Sequence, residues 1–283
     1  MNKKNDKKSC LGIIAGAGAL PQALVTYCQK EKREFCIVGI EHQTDEMLLK
    51  QGPHLVVKLG QLKKAINFLK QYHAKELVLI GAVRRPSIFE LKPDLKTLKL
   101  LFQYGFGQHG DDAVLRLVDQ NLSEEGFELH GVHEYLPELL MSKGALGKVT
   151  LGSKYSKDLE KAKSVLYQLG QADVGQSTVV QNELILGVEA IEGTDELIKR
   201  CGAYQRKGPK AILVKMKKPS QDERFDLPTI GPKTIENLKE YGYAGIALQA
   251  GAALVVELDQ VMKLANKYDL FVYGFEEKNE KES

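Results

Sequence analysis

A chain of 283 residues, 43% hydrophobic and 27% charged, has the composition of a globular protein long enough for two domains of ordinary size. Its 40 Lys and Arg against 37 Asp and Glu leave a net charge of +3, far from the concentrated basic face that nucleic-acid binding needs, so DNA- and RNA-binding classes are set aside. The four cysteines, Cys10, Cys28, Cys36 and Cys201, form no CxxC pair and read as reduced thiols of a cytoplasmic protein.

Residues 1–10 form a basic tail, expected to be disordered, with Lys3, Lys4, Lys7 and Lys8 ahead of an apolar run. A secretory signal has that order of charge and apolar core. Here Gly16 and Gly18 interrupt the run and Pro21 follows at once, which suits a buried strand and a tight turn. No stretch approaches the ~20 apolar residues that span a bilayer. The first strand is expected at residues 11–15, followed by a helix in which Leu20, Leu24, Tyr27 and Cys28 recur at spacings of three and four. Apolar runs at 35–40, 55–59 and 77–83 then alternate with a second helical pattern, Leu62, Ala65, Ile66 and Leu69. Strands apolar on both faces and separated by helices imply a parallel sheet covered on each side. The fold class is therefore α/β, with a Rossmann-like N-terminal domain over 11–145. A further helix carries Leu115, Val118 and Leu122.

The small, glycine-bearing span 143–148 marks the passage between domains, with the linker itself set at 146–152. A C-terminal α/β domain over 153–276 follows. It is expected to hold a helix at 159–169, strands at 177–180 and 184–190 paired around Asn182 and Glu183, and a strand at 211–216. A helix at 232–241, strands at 245–248 and 253–258, a helix at 260–267 and a strand at 270–274 complete it. Residues 277–283 read as a frayed tail.

Gly16 and Gly18, with Leu20 and Pro21, occupy the turn where a dinucleotide enzyme carries GxGxxG, but Pro21 replaces the third glycine and argues against NAD. An anion can still be held by free N–H groups at a helix start, and the alternative is a tight turn with no ligand. Arg85 follows the strand at 77–83 and suits phosphate through its fork of donors; the alternative is a solvated surface pair with Arg84. Asp112 precedes a helix, where capping is the simpler reading, and is retained as a candidate substrate contact. His130 and His133 lack a third ligand at zinc-site spacing, so zinc is set aside.

Chemistry concentrates in the second half. Gln176 lies in a turn before a strand, and Glu192, Gly193, Thr194 and Asp195 run from a strand end into a helix start, where acidic groups cap the helix or bind a hard cation. The segment from Lys215 through Lys217, Asp222, Arg224 and Asp226 to Gly231 is stiffened by Pro219 and Pro228. Splitting a pyrophosphate calls for a divalent cation on the phosphate oxygens, basic side chains, and a carboxylate to hold the metal or take a proton from water. Asp222 and Asp226 can supply the carboxylates, and Lys215, Lys217 or Arg224 the phosphate clamp.

The strings AGAGALP, GAVRRP, GDDAVLR, ADVGQSTVV, VEAIEGTDELIKR and KPSQDERFDLPTIGPKT occur in that order. Together they resemble the UDP-2,3-diacylglucosamine pyrophosphatase family of lipid A biosynthesis, in its non-metallophosphoesterase form, over about residues 11–274. The resemblance implies a Mg²⁺-dependent hydrolase in which water attacks the sugar-side phosphorus. It releases UMP and a diacylglucosamine 1-phosphate, with the ligand in a cleft between the two domains. The family's essential aspartate falls in QDERFDLP and is placed at Asp226, with Asp222 as the nearest rival. The implied partner is a lipid-linked UDP-sugar, reached from the cytoplasm with peripheral contact at the inner membrane and no obligate protein partner. Leu95, Leu98, Leu101, Phe102, Tyr104 and Phe106 could wall the acyl chains or touch a membrane; the alternative is a core-facing helix. Two rival readings remain: a non-catalytic UDP-sugar or lipid carrier, and a nucleotide-dependent oxidoreductase.

Overall fold

Runs that are apolar at every position can be buried only in the middle of a covered sheet, and the N-terminal strands behave in that way. The computed structural model describes residues 9–84, 93–94, 97, 111–219 and 221–277. The chain divides into two units, Met1–Pro137 with Arg224–Asp226, and Glu138–Glu223 with Leu227–Ser283.

In the first unit five strands run parallel: β1 (Leu11–Ala15), β2 (Phe35–Ile40), β3 (His54–Val57), β4 (Glu76–Ile80) and β5 (Glu128–Leu129), in the order β3-β2-β1-β4-β5. Leu11, Ile13 and Ala15 of the central strand are wholly buried. Helices α1 (Ala19–Lys30), α2 (Glu46–Leu49), α3 (Leu62–Gln71), α4 (Asp111–Glu124) and α5 (Val132–Tyr135) follow in chain order. The amphipathic α3 sends Ala65, Ile66 and Leu69 into a core shared with Cys36, Val38, Leu77 and Leu122. The run expected as strand at 77–83 stops at Ile80, because Gly81 takes φ 93° and turns the chain. The run at 55–59 is likewise the shorter β3, an edge strand that leaves His54 and Val56 exposed.

Among the described residues of this unit the buried cation is Arg33, 7% exposed. It pairs with Glu76 at 2.9 Å and lies 5.2 Å over the Tyr135 ring. The Tyr135 hydroxyl donates to the same carboxylate at 2.9 Å, and Ser9 Oγ donates to its other oxygen at 3.0 Å. Burial alone would push the Glu76 carboxyl up, but the bonds from Arg33 and Tyr135 outweigh it and hold the group below its ordinary range.

The second unit has a six-stranded sheet in the order β6-β13-β11-β9-β7-β8. Its strands are β6 (Gly144–Leu146), β7 (Ser177–Gln181), β8 (Leu184–Val188), β9 (Ile212–Lys215), β11 (Gly245–Gln249) and β13 (Phe271–Phe275). β9, β11 and β13 are mutually parallel, while β6, β7 and β8 pair antiparallel with their neighbours. A separate pair, β10 (Thr229–Ile230) and β12 (Leu254–Val255), is parallel. Helix α6 (Ser156–Gln171) packs Leu159, Ala162 and Leu166 on one face, against Val180, Ile212 and Val214. Helices α7 (Gly193–Gly202), α8 (Pro232–Glu240) and α9 (Leu258–Lys267) share the other core with Val179, Leu213 and Leu248.

Two expectations change here. The span 143–148, read as part of a linker, contains β6, which pairs with β13; Gly144 and Gly147, at φ 91° and 97°, bend the chain in and out of it. The strand expected at 253–258 is only Leu254–Val255, since Glu257 takes a left-handed φ of 52° and α9 begins at Leu258. The β7–β8 hairpin is as expected from Asn182 and Glu183. Both have positive φ, as a two-residue turn between twisted strands requires. Buried Asp158 fixes that turn by accepting from Asn182 N at 3.1 Å and Glu183 N at 2.5 Å. No helix among the described residues is long and apolar enough to cross a membrane.

Candidate functional site

In the first unit, the candidate phosphate turn sits at the carboxyl ends of β1 and β4. Ala17 and Ala82 exchange both backbone bonds, at 2.8 and 2.9 Å. A Cβ on Gly16 would lie 2.4 Å from Ala82 O, and one on Gly81 would lie 2.7 Å from Ala17 O and 2.9 Å from Pro21 Cγ. These glycines therefore allow two loops to cross at contact distance, with buried Pro21 packed beneath. Gly18 has open space around it, but φ 103° demands glycine. It precedes α1 without a side-chain cap, so the first N–H groups of that helix have no side-chain acceptor there, and Leu20 is half-buried beside them. Arg85 lies outside the described residues, as do the Leu95, Leu98, Leu101, Phe102, Tyr104 and Phe106 set and the side chain of Asp112.

Arg224–Asp226 also belong to this unit. Arg224 reaches Asp119 of α4 with both terminal nitrogens, at 2.8 and 3.5 Å, and its guanidinium carbon lies 5.0 Å over the Phe225 ring. Phe225 packs on the core formed by β2, α3 and α4. Asp226 follows directly and is exposed. Sequence reading missed Asp119, 105 positions from its partner.

His130 Nδ1 donates to the Glu134 carboxylate across 2.8 Å. Among the described residues, no group of three or more His, Cys, Asp or Glu is placed to hold a metal ion.

In the second unit, the approach to half-buried Asp222 is braced from within. Gln221, 5% exposed, accepts from Lys218 N at 3.1 Å. Lys218 pairs with Asp173, Lys217 Nζ pairs with Glu223, each at 2.5 Å, and Lys217 N donates to Gln249 Oε1 at 3.0 Å. Glu192 is tied to Arg200 at 2.7 Å, and hydrogen bonds from that guanidinium hold its carboxyl below the usual range. Asp195 accepts from Asn237 at 2.9 Å and lies 3.1 Å from Lys233 Nζ. Gly193 is needed for φ 80° at the start of α7.

At the carboxyl end of β9, Lys215 stands 5% exposed in a row with Ser177 and Glu189. Register sets the row: Ser177 pairs directly with Lys215, and Glu189 N donates to Ser177 O at 2.8 Å just past β8. Thr194, in the first turn of α7, links the ends: Lys215 Nζ donates to its hydroxyl at 2.8 Å, and the hydroxyl donates to Glu189 Oε1 at 2.6 Å. The other carboxylate oxygen of Glu189, Ser177 Oγ and Gln176 Oε1 are buried without a partner among the described residues. Gly175 makes room, since a Cβ there would lie 2.1 Å from Glu189 O. The structure thus joins the predicted Lys215 and Thr194 to two residues outside the predicted set, Glu189 and Ser177. The available signal was Glu189 at a strand end beside a glycine-opened helix.

Buried donors and acceptors of both kinds in the second unit suit a polar ligand, and an exposed carboxylate on a pinned turn in the first suits acid–base or metal chemistry. Family models match both halves of the chain: the LpxI N-terminal domain at residues 10–139 and the LpxI C-terminal domain at residues 142–273. A protein of Caulobacter vibrioides, the UDP-2,3-diacylglucosamine pyrophosphatase LpxI, is 37% identical over 274 residues, covering 93% of this chain and 96% of its own. Among solved structures, the biotin carboxylase of Campylobacter jejuni aligns at 9% identity over 71% of this chain and 43% of that one, with a TM-score of 0.29. The N5-carboxyaminoimidazole synthetase of Staphylococcus aureus aligns at 16% over 61% and 38%, with a TM-score of 0.23. Likenesses that slight carry no argument about fold or function.

Proposed function

The chain belongs to the LpxI family, and we propose on that ground that it hydrolyses the pyrophosphate bond of UDP-2,3-diacylglucosamine in lipid A synthesis, giving UMP and 2,3-diacylglucosamine 1-phosphate. It is a hydrolase of a phosphoric anhydride. The observation that carries this is the 37% identity running through both domains of a relative bearing that name, rather than any single motif.

Within that reaction the chain's own residues divide the work. Asp226, exposed at the end of the turn that Arg224 and Phe225 anchor, takes the proton of the attacking water or binds the cation; Asp222 is its rival. Arg224 acts by holding the turn, since both of its terminal nitrogens engage Asp119. Lys215, Lys217, Gln176 and the Glu192–Asp195 segment contact substrate in the second unit. Gly16, Gly18, Leu20, Pro21, Arg85 and Asp112 do so in the first, whose strand order and glycine turn we read as Rossmann-like.

Mg²⁺ fits this donor set. It takes hard oxygen ligands, commonly one or two carboxylates completed by water and substrate phosphates, so no all-protein cage is called for. Asp226 and Asp222 would hold it. Its chemistry there would be to neutralise charge on the phosphate oxygens. We place the reaction in the cytoplasm, with peripheral contact to the inner membrane to reach a diacylated substrate and no obligate protein partner.

The test is direct. Purified protein incubated with UDP-2,3-diacylglucosamine and Mg²⁺ should release UMP, and Asp226→Ala should lose about 10²–10⁴-fold in rate, the usual worth of a proton-transfer group, while retaining substrate binding. Undiminished turnover by Asp226→Ala rejects that assignment. Equal turnover in excess EDTA removes the metal. Binding of substrate with no UMP from the native protein favours a carrier.

A further inference from the structure

A polar side chain buried in an interior without a partner costs about 1–3 kcal/mol, more when charged, so native proteins rarely leave one unexplained. The row Glu189–Ser177–Lys215 leaves two. Ser177 is 0% exposed and Glu189 8% exposed, yet Ser177 Oγ and one carboxylate oxygen of Glu189 have no partner among the described residues. Both face the side of the sheet that carries α7, because directly opposed residues of antiparallel strands project alike and Val179, two positions on, packs in the core shared with α7. Thr194 already partners the other oxygen of Glu189 and one N–H of Lys215. The bonding capacity that remains is an ionic acceptor, a hydroxyl able to donate or accept, and further ammonium N–H groups.

That set matches neighbouring hydroxyl groups better than a phosphate. A carboxylate repels a phosphate, but it accepts from two adjacent O–H groups, while the ammonium and serine hydroxyl donate to their oxygens. We infer that Glu189, Ser177 and Lys215, with Thr194 as the link, form a subsite for the vicinal hydroxyls of a pentose. The identity of the ligand rests on the hydrolase reading. In UDP-2,3-diacylglucosamine the hexose is acylated at positions 2 and 3 and phosphorylated at position 1, so it keeps no free vicinal pair. The ribose keeps both of its hydroxyls. The C-terminal unit therefore holds the nucleoside end.

The experiment is calorimetric titration of the full chain with UMP, 2′,3′-dideoxyuridine 5′-monophosphate and glucosamine 1-phosphate, beside the UMP-release assay. The native protein should bind UMP ~10–100-fold more tightly than the dideoxy analogue, the range for one hydrogen bond to a charged group. Glu189→Gln, which keeps shape but replaces an acceptor with a donor, should bring the two within about threefold of each other at unchanged melting temperature, a residual gap below one such bond. Ser177→Ala should narrow the gap by less. Equal binding of both nucleotides by the native protein, as when only ordered water fills the row, overturns the subsite. So does discrimination that survives Glu189→Gln in a folded variant, or binding of neither nucleotide. Loss of glucosamine 1-phosphate rather than UMP in Glu189→Gln overturns the ribose assignment. Preference for UMP without any UMP release from the native protein would sustain the subsite while the hydrolase reading fails, so the two failures are separable.

Discussion

Replacing Asp119 by Asn should slow the reaction without weakening substrate binding. The carboxylate is the partner of both terminal nitrogens of Arg224, at 2.8 and 3.5 Å, and Arg224 stands two residues before Asp226. A fully buried pair of this kind would cost ~3–5 kcal/mol to break. Here the side chains are 20% and 37% exposed, so water screens the pair and ~1 kcal/mol is the appropriate scale. Phe225 still packs on the first unit's core and keeps the turn close to place. A 1 kcal/mol loss shifts a two-state equilibrium about fivefold, so kcat should fall ~3–10-fold, with KM changed less than about twofold if the loss falls on placement of Asp226. Steady-state release of UMP, with melting temperature recorded for each variant, measures this. Exchanging the partners, Asp119→Arg with Arg224→Asp, should recover part of kcat. A native kcat in Asp119→Asn, or a rise confined to KM, would refute the idea that this pair positions the reacting carboxylate.

The buried network at Arg33 makes a pH prediction. The Glu76 carboxyl is held below its ordinary value in the folded chain, so it contributes stability that is present above the unfolded pKa, near 4.3, and is lost as pH falls through the lower folded value. Glu76→Gln should therefore lower the urea midpoint at pH 7 and flatten its acid dependence; parallel acid profiles for variant and native protein would contradict this. Losing the carboxylate leaves Arg33 buried without an ionic partner, and ~3 kcal/mol is the expected cost at pH 7. Gly175→Ala would place a Cβ 2.1 Å from Glu189 O, so it should cost ~1–3 kcal/mol by overpacking and weaken UMP binding together with stability. Unaltered UMP affinity in that variant would detach the turn from the row.

The strands of the first unit were readable because continuous Val, Leu and Ile runs have one stable home, and their parallel pairing followed from alternation with helices. Their ends were not. Apolarity continues through Ala82 and Val83, and only the φ of Gly81, which depends on the crossing with Ala17, stops β4. Residues 144–146 failed for the opposite reason. Gly144 and Ala145, with Gly147 just after, look like a linker, and what makes residues 144–146 a strand is a free edge on Phe271–Phe275, more than 120 positions away. Long-range pairing likewise hid Asp119 from Arg224. Lys215 and Thr194 were picked out individually, but nothing in their spacing places them 2.8 Å apart with Glu189 beyond.

That last arrangement depends on register, and register depends on a residue remote from the site. In a strand, successive side chains face opposite sides, so sliding β8 by one position against β7 would turn Glu189 away from Ser177 and Lys215. The two-residue turn at Asn182 and Glu183 starts the pairing, the register shift between Val179 and Val180 completes the slide, and Asp158 of α6 sets the turn by accepting both of its N–H groups. Asp158→Ala should thus cost ~1–3 kcal/mol from two lost bonds to a buried carboxylate, measurable as a lower urea midpoint. If register is what positions Glu189, the same variant must also lose preference for UMP over its dideoxy analogue, although Asp158 lies at the opposite end of the hairpin. A destabilised Asp158→Ala that keeps the native nucleotide preference would mean that α7, through Thr194, holds Glu189 in place without help from the turn.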